Sequence, residues 1–362
     1  MKKLTFLALI IFYTSLGYTQ KLDSEFTFIY WMPYDNNLSS WADTIYHMIQ
    51  HGISHEGIVV TVQRDLANEV GMTRSIIRKD GISHSKIQED RSSNGLAFYD
   101  YLKWVHQKIN SDKYAIIFLD HGGKLDEIGL DQYPSEGFLR VDSAAWAINQ
   151  FNKLNNNIAE LIFLQVCTKG SIEPVYEFKE DSKYTMFSQT VLGAPNFYYR
   201  GFFEEVSRSD PSALTGLQLS QIIVGHERID MYQSLVTINN EAFPKLEREL
   251  KAFIRQRERA TAYEILNNRV LFYDGQTYFD LKAFIECFQG VESTDLLKAI
   301  DELVVMNKIN PSDQTMSKHS GISLMAMQKD YLQKLEKYGH LRFFQEFPMA
   351  ELYHTSTHLL GK

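Results

Sequence analysis

Two short apolar runs in the first half of the chain end in the same way. Ala115-Ile116-Ile117-Phe118-Leu119 leads into Asp120-His121-Gly122-Gly123, and Leu161-Ile162-Phe163-Leu164 leads into Gln165-Val166-Cys167-Thr168-Lys169-Gly170. Unbroken apolar runs bounded by turn residues predict strands buried on both faces, as in a parallel sheet. The same reading places strands at 26–32, 57–63, 73–79, 114–119, 160–165 and 183–189, and helices at 38–50, 93–109, 142–154 and 171–180. Ser171 suits the N-cap of the last helix, with Pro174 in its first turn where a missing N–H costs little. Strands alternating with helices predict an α/β fold, a mostly parallel sheet covered on both faces. After Asn196 the pattern turns mainly helical, over 212–231, 241–268, 280–307 and 328–339, with short strands near 233–238 and 321–327. A soft boundary is placed near residue 235.

In open α/β sheets the reactive crevice lies beyond the carboxyl ends of the strands. A thiol and an imidazole at the ends of neighbouring strands can therefore meet over one site, as a cysteine nucleophile with its base. Either residue alone says little, since a lone Cys at a strand end is usually a small buried hydrophobe. The joint pattern is rarer: a strand ending in Asp-His-Gly-Gly, about 45 residues, then a strand ending in Gln-x-Cys. Asp120 precedes the His, but side chains alternate along an extended segment, so it points away from the face His121 uses. A structural role is expected for it. His47, His51 and His55 are spaced by four beside Asp43, yet Gly52 interrupts the helix face. His354 and His358 stand in a polar tail. No metal site is expected from either group. The cluster Tyr198-Tyr199-Arg200-Gly201-Phe202-Phe203 reads as core packing, with pocket lining as its functional alternative.

On these residues the chain resembles the clostripain-like cysteine peptidases of the caspase-type clan. In caspases the catalytic His also lies about 50 residues upstream of a Gln-x-Cys-x-Gly motif. The likeness extends to Phe26–Met32 followed by Asp35-Asn36-Asn37-Leu38, to Ile58–Asp65, to Gly170–Glu177, and to Tyr278–Leu281 and Gly321–Leu324. It spans about residues 26 to 330. The resemblance implies a caspase-like three-layer sandwich with a mostly parallel central sheet, and a His121–Cys167 dyad. It also implies an oxyanion hole made by the backbone N–H groups of Gly122 and Cys167. Free thiols have a pKa near 8.5 and are mostly protonated at neutral pH. His121, and the helix start near Ser171, would favour the thiolate. Calcium enters only through the resemblance; the residues themselves call for no cofactor.

The departure from the family lies where the substrate side chain would bind. Clostripain-like enzymes cleave after Arg or Lys and use acidic side chains there, one of them two residues before the Cys. In this chain that position is Gln165, and the segment after the next strand supplies Gln189 and Asn196 without a carboxylate. Gln165, Gln189 and Asn196 are thus the expected substrate-binding residues. A buried Arg would lose charge-assisted hydrogen bonds worth about 1.5–3 kcal/mol each. Arg64 could join such a site; its structural alternative is an ion pair with a neighbouring carboxylate.

The ends and composition complete the picture. Lys2 and Lys3, the apolar stretch Leu4–Leu16 and the small-residue step at Gly17-Tyr18-Thr19 read as an export signal over 1–19. Domains are then expected at 20–235, a caspase-like catalytic domain, and at 236–362, an α+β region packed on it. Losing two lysines moves the net charge from −8 to −10. No basic run suggests nucleic acid, and no later apolar segment is long enough to span a membrane. Cys167 and Cys287 are the only cysteines; a disulfide between them would consume the nucleophile, and Cys287 reads as a core residue. The expected product is a secreted or periplasmic cysteine endopeptidase, monomeric, acting on peptides or proteins. The alternatives are a catalytically weak clostripain-like peptide-binding module and an unrelated α/β hydrolase, which would want a Gly-x-Ser-x-Gly elbow that the chain lacks.

Overall fold

The strand Leu22–Tyr34 (β1) is apolar on both faces. Phe26, Phe28, Tyr30 and Met32 belong to one buried cluster, Ile29 and Trp31 to another. Successive side chains of a strand point to opposite faces, so β1 must be covered on both sides. A computed structural model of the chain shows how. It describes residues 20–67, 69–256, 261–262, 270–273, 275–327, 331–349 and 352. The expected leader, His354, His358 and parts of the helices expected at 241–268 and 328–339 lie outside them.

The strands continue as β2 (Ile58–Leu66), β3 (Thr73–Arg78), β4 (Gly81–Lys86), β5 (Ile109–Leu119), β6 (Glu127–Asp131), β7 (Gly137–Arg140), β8 (Ala159–Gln165), β9 (Ser182–Phe187) and β10 (Ser234–Asn239). One nine-stranded sheet runs, from edge to edge, as Val304–Ile309, β10, β9, β8, β5, β1, β2, β3 and β4. Its centre, β9-β8-β5-β1-β2, is parallel. Both margins are antiparallel. The helices α1 (Ala42–Gly52), α2 (Gly95–Lys108), α3 (Val141–Asn155), α4 (Ile172–Glu177), α5 (Tyr199–Arg208) and α6 (Gly216–His226) cover it. Residues of α1, α5 and α6 pack on the Phe26–Met32 face, and residues of α2, α3 and α4 on the Trp31 face. Trp31 is 1% exposed, with its ring edge-on to Phe98 at 5.0 Å. Each large side chain buried in this way contributes about 1.5–3 kcal/mol. This is the mostly parallel sandwich expected from the sequence.

Several details differ. The strand 73–79 is present but antiparallel, because a short loop returns it beside β2. β4 was not expected: Gly81-Ile82-Ser83-His84-Ser85-Lys86 is a polar, largely exposed edge, and edge strands carry no apolar run. The hairpin β6–β7 was missed as well. The helix expected over 171–180 stops at Glu177, and Ser171 stands at its N-cap without a capping bond, its hydroxyl donating to Glu173 instead. The span 280–307 is two helices, Leu281–Glu286 and Thr294–Leu303, followed by Val304–Ile309 as an edge strand. Gly290, with φ +80°, interrupts the span, and Val304-Val305 open the strand as β-branched residues do. The region after residue 235 thus contributes to the main sheet and adds a small sheet of Val270–Tyr273, Gln276–Asp280 and Ser323–Met325.

That small sheet is tied to the segment after Cys167 by a buried carboxyl. Glu173 is 0% exposed, and its Oε1 accepts the Met325 N–H at 2.9 Å. Burial pushes its pKa up from 4.5 to about 7. A raised folded-state pKa gives stability that is present below about 4.5 and lost as pH rises through about 7, in all about 3 kcal/mol. Glu173→Gln should therefore lose less stability than the parent between pH 5 and pH 8, read as urea midpoints at the two pH values. Equal losses in both proteins would show that this carboxyl does not titrate with folding.

Candidate active site

β5 and β8 are adjacent and parallel, and their last registered pair is Leu119 with Gln165. His121 and Cys167 each follow that pair by two residues. The register therefore sets both side chains at the same level beyond the carboxyl edge of the sheet. The chain between them is close-packed. A side-chain carbon at Gly122 would lie 2.0 Å from the carbonyl oxygen and 3.1 Å from the nitrogen of Cys167. Only glycine allows the two backbones to approach so closely.

The Cys loop is held on three sides. Thr168 N–H donates to the Thr190 carbonyl and Gly170 N–H to that of Ser188, both at 2.9 Å. Cys167 Sγ, partly buried, lies 3.5 Å from both the N and the O of Leu192. Lys169 is fully buried, and its Nζ donates to the Lys124 carbonyl at 2.7 Å and to that of Gly123 at 3.4 Å. That lysine fastens the Cys loop to the His loop. Cys167 is a free thiol; Cys287 Sγ donates to the Ala283 carbonyl.

The loop after β1 holds the His side. Nε2 of His121 lies 2.7 Å from Oδ1 of Asn37. An amide oxygen can only accept, so the neutral imidazole carries its proton on Nε2 and its lone pair on Nδ1. Burial lowers the His121 pKa from 6.5, which favours that neutral, basic form. Asp120 faces elsewhere: its carboxylate accepts from Asn36 Nδ2 at 3.0 Å and from the Leu130 N–H at 2.6 Å. It is the structural carboxylate that strand alternation implied, and burial holds its pKa well above the usual carboxylate range.

The three amides expected to meet substrate separate into a pair and a single residue. Gln165 Nε2 donates to Asn196 Oδ1 at 2.6 Å and to the Tyr199 hydroxyl at 2.7 Å, and its Oε1 accepts from the Tyr198 hydroxyl at 2.6 Å. Gln189 turns instead to Ser323, donating to its Oγ at 2.9 Å. The Tyr198–Phe203 cluster is core, and two of its hydroxyls also orient Gln165. One carboxylate that sequence reasoning missed reaches this ground: Glu227, 8% exposed, accepts from the N–H groups of Phe197 and Arg228 and bonds the Asn196 side chain. Asp181, Glu204 and Glu205 serve Asn149, Arg200 and His226 respectively. Arg64 pairs with Asp43 at 2.9 Å and lies over the Tyr46 ring.

A family model described as peptidase C11, the clostripain family, matches residues 30–287, which include every residue of this arrangement except Ser323. The chain belongs to the clostripain family. It is therefore a cysteine peptidase. Among solved structures it is similar to an inactive zymogen C11 protease from Parabacteroides distasonis, with TM-score 0.70 and 14% identity over 89% of this chain and 98% of that one. It is also similar to a secreted C11 cysteine protease from Bacteroides thetaiotaomicron in complex with an irreversible peptide inhibitor, with TM-score 0.69 and 14% identity over 89% and 98%. A further structure of a secreted C11 cysteine protease from that organism, "iotapain", gives TM-score 0.67 at 13% identity over 90% and 99%. At these identities the likeness concerns the fold. No curated protein matches the chain.

Asn37 and Lys169 are site residues of this clostripain-family chain that the pattern did not reveal, because their partners lie 84 and 45 positions away. Asn37→Ala should leave KM nearly unchanged and lower kcat about tenfold to a hundredfold, the loss of one orienting bond of about 1.4–2.7 kcal/mol. Steady-state kinetics check this; an unchanged kcat would mean that Asn37 does not orient His121. Gly122→Ala, with its methyl driven into the Cys167 carbonyl, should cost at least a hundredfold in kcat/KM while the urea midpoint falls only modestly.

Proposed function

We propose that this chain is an exported cysteine endopeptidase that cleaves peptide bonds through a His121–Cys167 dyad and an acyl-enzyme. The observation that carries the reading is the shared level of His121 and Cys167 beyond the registered pair Leu119 and Gln165. Nδ1 of His121, with Nε2 held by Asn37, removes the thiol proton. The thiolate attacks the peptide carbonyl. The N–H groups of Gly122 and Cys167 receive the developing negative oxygen, and losing one such donor typically costs about 3 kcal/mol. The imidazolium then protonates the leaving amine, and water hydrolyses the thioester. Export is supported by the leader pattern over 1–19 and by relatives in the fold described as secreted. Among the described residues no helix is long and apolar enough to cross a membrane.

Cys167→Ala and His121→Ala should each abolish hydrolysis of a fluorogenic peptide library with circular dichroism unchanged, and Cys287→Ala should keep full activity. More than a trace of turnover in Cys167→Ala would sink the reading.

Specificity follows from the amide pair. Gln165 and Asn196 bond each other where the family places carboxylates, and Glu227 spends its oxygens on two N–H groups and on Asn196. A cationic side chain would find no free carboxylate oxygen to offset its desolvation. Neutral or acidic residues before the scissile bond are expected to be preferred over Arg and Lys. Gln165→Asp should move the preference toward basic residues by tenfold or more. A hundredfold preference of the parent for Arg would contradict this assignment.

A further inference from the structure

The turn that follows the nucleophile carries two features that the dyad does not explain. Thr168 has φ +53°, in the left-handed region. A β-branched side chain there crowds its own backbone, so the conformation persists only where the surroundings impose it. The next residue, Lys169, is 0% exposed. Lysine is almost never buried so completely unless its ammonium finds partners, because taking the charge out of water is costly. A strained residue and a buried cation thus stand side by side, directly beyond Cys167.

The bonds show what they hold together. Lys169 Nζ donates to the Lys124 carbonyl at 2.7 Å and to that of Gly123 at 3.4 Å. The same stretch is held from its other side by Glu127, whose Oε2 accepts the Lys124 N–H at 2.7 Å. Gly123 is itself left-handed, with φ +57°, and a side-chain carbon on it would come within 2.8 Å of Glu127 and of Phe138. On the Cys side, the N–H groups of Thr168 and Gly170 bond the carbonyls of Thr190 and Ser188. Lys169 is therefore a strut between two loops, each anchored on its far side. Gly122 and Cys167 stand just before its two ends, and the main chains of those two residues lie against each other. Donors to a developing oxyanion are effective only when they are fixed before the charge appears.

We infer that Lys169 is a positioning residue for the oxyanion hole. Bonded to the Gly123 and Lys124 carbonyls, its ammonium holds the strained turn at Thr168 and keeps the N–H groups of Gly122 and Cys167 converged. This role rests on the His121–Cys167 chemistry proposed above. It is distinct from thiolate formation, which belongs to His121.

Two electrophiles separate the two roles. A peptide aldehyde ending in the residue that the parent cleaves best reports the hole. The Cys167 sulfur bonds to the aldehyde carbon, the thiol proton passes to His121, and the carbonyl π pair moves to the oxygen, which the two N–H groups receive. Iodoacetamide reports the thiolate alone: sulfur bonds to the methylene carbon and iodide leaves with its bonding pair, so no oxygen gains charge. Lys169→Met keeps nearly the same length and loses the ammonium. In that variant aldehyde affinity and kcat should each fall about a hundredfold, with KM within about threefold. Iodoacetamide labelling of Cys167, mapped by mass spectrometry, should stay within about twofold of the parent rate. Thr168→Gly removes the strain that the strut opposes, so in the Lys169→Met background it should recover about tenfold in aldehyde affinity. Lys169→Leu answers the same questions where Lys169→Met does not fold. Unchanged aldehyde affinity in these lysine variants would overturn the inference. Parallel losses with both electrophiles would overturn it equally, since they mean a collapsed site and not a displaced hole. A parent in which neither reagent forms an adduct at Cys167 would overturn the dyad as well.

Discussion

The parallel pairing of β5 with β8 is the constraint on which the rest of the site depends. A strand has a period of two, so a slip of one residue would send every side chain to the other face. Ala115–Leu119 and Leu161–Gln165 are buried on both faces by the two helical layers, which fixes their register. With Leu119 held against Gln165, His121 and Cys167 leave the sheet together. The site thus draws its precision from apolar packing several residues away. Gly122 then allows the two chain ends to touch, because any side chain there would collide with the Cys167 carbonyl.

Beyond the sheet edge, where apolar packing ends, buried polar groups take over the positioning. Lys169 spans from the Cys loop to the His loop and Asp120 gathers Asn36 and the Leu130 N–H, while Asn37, itself exposed, bonds the imidazole. Such groups must find partners when buried, and Lys169 and Asp120 find theirs in main-chain atoms and a side chain of other segments. The loops are therefore ordered by mutual satisfaction of polar atoms. The same logic governs the amide ground formed by Gln165, Asn196, Tyr198 and Tyr199, where short bonds join Gln165 to the other three. Replacing carboxylates by amides there removes the charge without removing the geometry.

What the sequence revealed follows physical scale. The central strands were legible because a strand buried on both faces has to be an apolar run. That His121 and Cys167 leave the same edge of the sheet was legible because both sit at the ends of such runs. β4 was not, since a polar edge strand has no apolar signature. The stretch 280–307 was read as mainly helical because helical spacing continues across Gly290, which separates the helix Leu281–Glu286 from Thr294–Leu303, ahead of the edge strand Val304–Ile309. Asn37, Lys169 and Glu227 were hidden for another reason. Their partners, at 121, 123–124 and 196–197, are far away in the chain, and only the fold brings them close. Cys287 was read as a core residue of an amphipathic helix; it stands one residue past the end of Leu281–Glu286, half-buried and bonded back to Ala283.

The central claim is that Cys167 owes its reactivity to His121. Mass-spectrometric mapping of the protein after brief exposure to a peptidyl electrophile, with the labelling rate followed in the parent and in His121→Ala, tests it most directly. The account predicts a single adduct on Cys167, an unmodified Cys287, and labelling slower by a hundredfold or more without the imidazole. Labelling of Cys287, or equal rates in the two proteins, would contradict it.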